Sequence, residues 1–229
     1  MLNFFISLMF FLGSHMIVSR TRIRPWLIER IGTGKYLFFY SALSIGLLWW
    51  LIEAAIAAPR IQLWPWVHSL YWIPNIMMPI AFILLISGFI VANPLSIAPR
   101  EKGFDPERPG LITAVTRHPV LWGFFFWASS HLIVNGEFPL ALMFLIFALF
   151  SLAGIPLIDR ARKRALGEAV WQEMASQTHA IIFCSRALRT GRFRLTKRDV
   201  AGIIGGLFLY AVFYALHPLL FGINPAPPF

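Results

Sequence analysis

Hydrophobic and polar positions along the chain separate into six long apolar runs joined by polar, mostly basic connections: Asn3 to Val18, Leu37 to Ala57, Trp72 to Ala92, Pro119 to Val134, Leu140 to Leu157 and Gly202 to Phe221. A hydrocarbon core of about 30 Å takes about 20 mostly apolar helical residues to cross, so these runs predict an all-α, polytopic membrane helical bundle. The expectation is about six transmembrane helices forming one domain over residues 1–229. The first run is apolar from its start and lacks the basic region and small-residue cleavage site of a secretory signal, which predicts a retained helix. The fourth and fifth runs meet at Asn135-Gly136-Glu137, a polar turn short enough to predict a tight helical hairpin. Pro74 and Pro79 fall within the third run and are expected to kink it.

The basic residues orient the bundle. Of 20 Lys and Arg, five lie between Arg20 and Tyr36, four between Asn93 and His118, and ten between Asp159 and Val200. Only Arg60 falls on the opposite side. Basic loops stay cytoplasmic, so both termini are expected outside, with Asn224-Pro225-Ala226-Pro227-Pro228 as a short external tail. Trp49, Trp50, Trp64, Trp66, Tyr71 and Trp72 then gather at the outer ends of the second and third runs, where an interfacial aromatic belt accounts for them.

Composition agrees with this class: 58% of the chain is apolar and 13% charged, unlike a soluble domain. The formal charge of +10 does not indicate nucleic acid, because the basic residues sit between apolar spans and build no soluble basic face. The lone Cys184 excludes an intrachain disulfide or a multi-thiolate metal site.

Histidine carries the candidate chemistry, because an imidazole in hydrocarbon is costly without a hydrogen-bond partner, a metal or a proton to move. His15 falls late in the first run, His118 opens the fourth, His131 is late in the fourth and His217 late in the sixth. His118 and His131 are separated by about 20 Å at 1.5 Å per residue, so one continuous helix cannot bring both to one metal. His131 and His217 belong to the outer half, and His15 and His118 to the inner half. A His15–His131 pair therefore needs a shallower first helix or a fourth helix that begins well inside the cytoplasm. No HExxH, CxxC or carboxylate cluster supports a closed zinc site, whereas two imidazoles within apolar walls suit haem iron.

Two further constellations are basic. The stretch from Arg108-Pro109-Gly110 to Arg117-His118-Pro119 is a loop running into a helix, with Pro119 suited to the first turn and Arg108 and Arg117 adding charge. It reads as a polar-ligand or lipid-headgroup site at the inner mouth, or equally as an anchored helix end. Asp159 to Trp171, rich in Arg and Lys, reads as an amphipathic surface segment that attracts anionic lipid. Nucleotide-binding glycine motifs and a Ser-His-Asp arrangement are lacking.

Several of these elements together resemble the NnrU family of bacterial inner-membrane proteins. They are His15, Arg108-Pro109-Gly110, Arg117-His118-Pro119-Val120-Leu121-Trp122-Gly123, Trp127-Ala128-Ser129-Ser130-His131-Leu132 and Asn135-Gly136. Gly167, Trp171, Ala180-Ile181-Ile182, Arg189, Gly191-Arg192 and Leu216-His217-Pro218-Leu219-Leu220-Phe221-Gly222 continue the likeness over essentially the whole chain. The resemblance implies a role beside nitrite and nitric oxide reduction in denitrifying bacteria, and a partner that is a nitrogen oxide or an apolar substrate. The family is also similar to plant 15-cis-zeta-carotene isomerase, a membrane haem b protein with histidine ligands. That similarity implies His15 and His131 as axial ligands, with His118 and His217 as substitutes.

A broader likeness runs to isoprenylcysteine and phospholipid methyltransferases, which hold S-adenosylmethionine between an Arg-His-Pro segment and a later acidic, aromatic tail. Arg117, His118 and Asp159 would stand near that cofactor, with Gly167-Glu168 through Trp171 echoing the tail. This chain keeps one Asp where an acidic pair is expected and lacks the aromatic after His-Pro. A non-enzymatic transporter or assembly role is the third expectation, although the discontinuous, repeated half-helices of transporters are not seen.

Overall fold

The structure, a computed structural model, describes residues 1–21 and 23–227; Arg22 of the first basic loop and Pro228 of the tail lie outside them. The described chain is all-α, with no strand and only isolated bridge pairs. In chain order the helices are α1 (Leu2–Arg20), α2 (Ile23–Ile31), α3 (Thr33–Ile56), α4 (Trp72–Ile90), α5 (Leu111–Val115), α6 (Pro119–Val134), α7 (Phe138–Leu166), α8 (Glu168–Ala175), α9 (Arg186–Thr190) and α10 (Lys197–Phe221).

All six apolar runs are helical. Four segments, Thr33–Ile56, His68–Ile90, Phe138–Leu166 and Lys197–Phe221, are long and apolar enough to cross a membrane. The apolar helices Leu2–Ile17 and Pro119–Val134 are shorter, and 16 residues of α6 rise only about 24 Å. Large apolar side chains on these helices face outward, among them Phe38, Ile45, Ile76, Leu149, Ile204 and Phe208. A soluble protein would bury such side chains, whereas lipid accommodates them. The chain is an integral membrane protein by this architecture and composition.

Pro79 lies inside α4 as expected, but Pro74 occupies its first turn, where the backbone nitrogen has no intrahelical acceptor to lose. Helix α7 continues nine residues beyond Leu157, through the basic stretch to Leu166. It stops at Gly167, whose φ of +84° is accessible to glycine and strained for other residues.

The chain divides into two compact units. The first comprises Met1–Pro65 and Asn135–Met143. Within it α1 and α3 run antiparallel: Trp50 Nε1 donates to Asn3 Oδ1 at 3.2 Å, and the His15 and Tyr40 rings meet at 5.8 Å. The turn at Asn135-Gly136-Glu137 pairs with the segment after α3, Leu63 N donating to Gly136 O and Phe138 N to Ile61 O.

The second unit comprises Trp66–Val134 and Phe144–Phe229. Its centre is α4, which packs against both α6 and α10. Contact is close at Ser87 and Gly88, both buried in α4. A Cβ on Gly88 would overlap Val120 Cγ2 and stand 3.0 Å from the Val120 nitrogen at the start of α6. On the α10 side, a Cβ on Gly202 would lie 2.8 Å from Ser87 Cα, and one on Gly206 would lie 2.5 Å from Ile83 Cα. Small residues thus let backbones approach where apolar burial gives helices in lipid no drive to associate. The N-terminus of α10 is held by Asp199, 0% exposed, which caps its own helix through Thr196 and accepts from Ile112 N of α5 at 3.0 Å.

Gly88→Leu is expected to force α6 away from α4 and to destabilise the protein by about 1–3 kcal/mol. The check is a lowered midpoint of thermal unfolding in detergent, with Gly46→Leu as the control because nothing lies within 4 Å of its Cβ position.

Candidate functional site

The segment from Asn93 to His118 owes its shape to a buried amide. Asn93, 1% exposed, donates to Arg117 O at 2.9 Å and accepts from Leu95 N at 3.0 Å, while its backbone pairs with Arg100. The short helix α5 ends at Thr116, whose hydroxyl accepts from His118 N and donates to Ala180 O. Arg117 N donates to His179 O, and Trp122 Nε1 donates to Ala180 O at 2.8 Å. Arg117 and His118 are therefore fixed from both sides before α6 begins at Pro119.

Their side chains converge on α7 and α8. His118 Nε2 lies 2.9 Å from Asp159 Oδ1, and Arg117 Nε lies 3.8 Å from the same oxygen. Because a carboxylate accepts, Nε2 carries a proton, and in the neutral ring the lone pair sits on Nδ1. The Arg117 guanidinium stands 5.1 Å from the Trp171 ring centroid, and Lys163 approaches the same ring at 5.4 Å. Lys163 also pairs with Glu168 at 2.7 Å, a contact that holds the exposed Glu168 carboxyl below its usual range. Arg162 Nε donates to Pro94 O, tying α7 to the Asn93 segment. The break at Gly167 turns the chain so that Trp171, four residues on, lies over Arg117.

Burial makes this cluster costly as it stands. The side chains of Arg117 and His118 are 9% and 0% exposed. Desolvation lowers the Arg117 pKa from its ordinary value, and Asp159 opposes that shift. Arg117 Nε and Nη1, His118 Nδ1 and Trp171 Nε1 are all buried without a hydrogen-bond partner. Each such group costs about 1–3 kcal/mol, and charged ones more.

The remaining histidines occupy different settings. His15, half-buried in the first unit, has Nδ1 2.8 Å from Phe11 O and 3.2 Å from the Ser14 hydroxyl. His131, in the second unit, has Nδ1 2.8 Å from Trp127 O and 3.5 Å from the Ser130 hydroxyl. The two share one local device, an aromatic at i−4, a serine at i−1, and an Nδ1–H given to the i−4 carbonyl. That hydrogen bond places the lone pair on Nε2. The ring of His15 lies between Phe11 and Tyr40, and that of His131 between Trp127 and Phe144. His217 donates Nδ1–H to Ile223 O just past α10. His118, by contrast, is committed through Nε2 to Asp159. Among the described residues no group of three or more His, Cys, Asp or Glu is placed to hold a metal ion.

The sequence pointed to Arg117, His118 and Asp159, but Asn93 and the carbonyls of His179 and Ala180 that position them carry no motif. Asp159→Asn keeps the shape and removes the charge that faces Arg117 and His118. It is expected to destabilise the protein by about 2 kcal/mol. Thermal unfolding in detergent should show the loss, and Arg160→Gln, an exposed neighbour, should show none.

Among curated proteins and solved structures none matches the chain. A family described as "NnrU protein" matches residues 3–225, from the start of α1 to beyond the end of α10 and across both units. With the match spanning almost all of its 229 residues, the chain belongs to the NnrU family.

Proposed function

We propose that this protein is a haem b-binding, multi-pass protein of the bacterial inner membrane, in which His15 and His131 would hold the haem. Its role is in nitrite or nitric oxide metabolism or in an isomerase-like redox reaction on an apolar substrate. In this reading all six apolar helices cross the bilayer, both termini are outside, the basic loops face the cytoplasm, and α1 sits shallower in the bilayer than its boundaries alone suggest. The observation that carries it is the matched setting of the two histidines, each with Nδ1–H donated to the i−4 carbonyl at 2.8 Å. This is the outer-shell arrangement that fixes the tautomer of a metal-ligating histidine and raises its basicity. A porphyrin supplies four nitrogens itself, so one or two imidazoles suffice and no larger cluster is required. Haem supplies an iron able to bind a nitrogen oxide or exchange an electron. The chain's own part is to orient each imidazole between aromatic rings and to keep bulk water away.

Protein purified in detergent from haem-replete cells is expected to show a Soret band. His15→Ala and His131→Ala should each abolish or shift it, whereas His179→Ala should leave it intact. A colourless wild-type protein would sink the proposal.

A second reading, membrane methyl transfer from S-adenosylmethionine, is favoured by the convergence of Arg117, His118, Asp159 and Trp171. It expects saturable heat on calorimetric titration with S-adenosylmethionine, reduced in Asp159→Ala. The absence of that heat removes the reading.

A further inference from the structure

The polar cluster beneath Trp171 holds complementary hydrogen-bonding capacity that nothing among the described residues uses. Arg117 offers Nε and Nη1, and Trp171 offers Nε1; these three donors are buried and make no hydrogen bond. Asp159 does not serve the guanidinium, because 3.8 Å exceeds hydrogen-bond length. His118 Nδ1 is also buried and unpartnered. With Nε2–H given to Asp159 at 2.9 Å, that nitrogen in the neutral ring is an acceptor that lacks a donor. Unused buried polar atoms are rare in folded proteins, and four on three side chains around one carboxylate need a common cause.

We propose that Arg117, His118 and Trp171, with Asp159 behind them, bind an anionic oxygen group, a carboxylate or a phosphate, that bears an N–H or O–H donor beside it. The anion takes the Arg117 and Trp171 donors, and the planar guanidinium suits two oxygens at once. The neighbouring N–H or O–H donates to His118 Nδ1, and Asp159 holds the imidazole in the tautomer that can accept it. Lys163, 5.4 Å from the Trp171 ring and paired with Glu168, lies beside the site. The inference rests on the same cluster as the methyl-transfer reading but not on methyl transfer, and it is independent of haem.

Two sources supply this chemistry: the hydroxylated headgroup of an anionic phospholipid and the amino-acid or phosphate end of a soluble metabolite. The test uses the full chain in phosphatidylcholine nanodiscs, titrated calorimetrically with glycerol phosphate and separately with S-adenosylmethionine. A second arm compares the thermal midpoint in phosphatidylglycerol and phosphatidylcholine nanodiscs. The expected result is saturable binding of a soluble probe, or a midpoint raised by phosphatidylglycerol. Either effect should weaken about tenfold or more in Arg117→Gln and persist in the exposed control Arg192→Gln. If circular dichroism shows Arg117→Gln unfolded, Arg117→Lys keeps the charge, lacks the planar fork and should weaken the effect likewise. Arg117-dependent binding of glycerol phosphate or phosphatidylglycerol, with none of S-adenosylmethionine, supports the site and removes methyl transfer. No saturable heat together with equal midpoints overturns the proposal, as does binding that is the same in the Arg117 variants.

Discussion

The second unit depends on the close approach of three helices at Ser87 and Gly88. In lipid, apolar side chains gain little by leaving one apolar medium for another, so contact between helices must come from packing and polar interactions. At Gly88 the start of α6 lies against the α4 backbone, and at Ser87 the Gly202 turn of α10 does the same. Larger side chains at either point would push a neighbour outward. Because α6 begins at Pro119, its seat on Gly88 also sets where Arg117 and His118 emerge.

From that seat the polar site follows in steps. Asn93 and the carbonyls of His179 and Ala180 satisfy the backbone around Arg117, leaving its side chain to reach toward Asp159 and Trp171. Helix α7 extends far enough past its apolar part to deliver Asp159, and Gly167 breaks it so that α8 can return Trp171 over the guanidinium. The resulting pocket of charge is buried but incompletely paired: one carboxylate engages the imidazole, while guanidinium Nε and Nη1 and the indole N–H make no hydrogen bond. The histidines of the apolar helices pose the opposite case, since His15 and His131 meet their local hydrogen-bond demand within their own helices.

The sequence by itself determined the membrane class, all six apolar helices and the family, because hydrophobic run length and local motifs are properties of contiguous residues. It also singled out Arg117, His118 and Asp159 as a group, and His15 and His131 as another. Tertiary structure decided what pattern could not carry. Pro74 proved harmless because the helix begins two residues earlier, and helix boundaries depend on which backbone groups find partners. Asn93 and Asp199 became buried hubs through contacts with residues far along the chain, the latter reaching Ile112 across 87 positions. The imbalance at Arg117 was likewise invisible in sequence, because whether a charged group has an acceptor depends on where distant side chains and carbonyls come to rest.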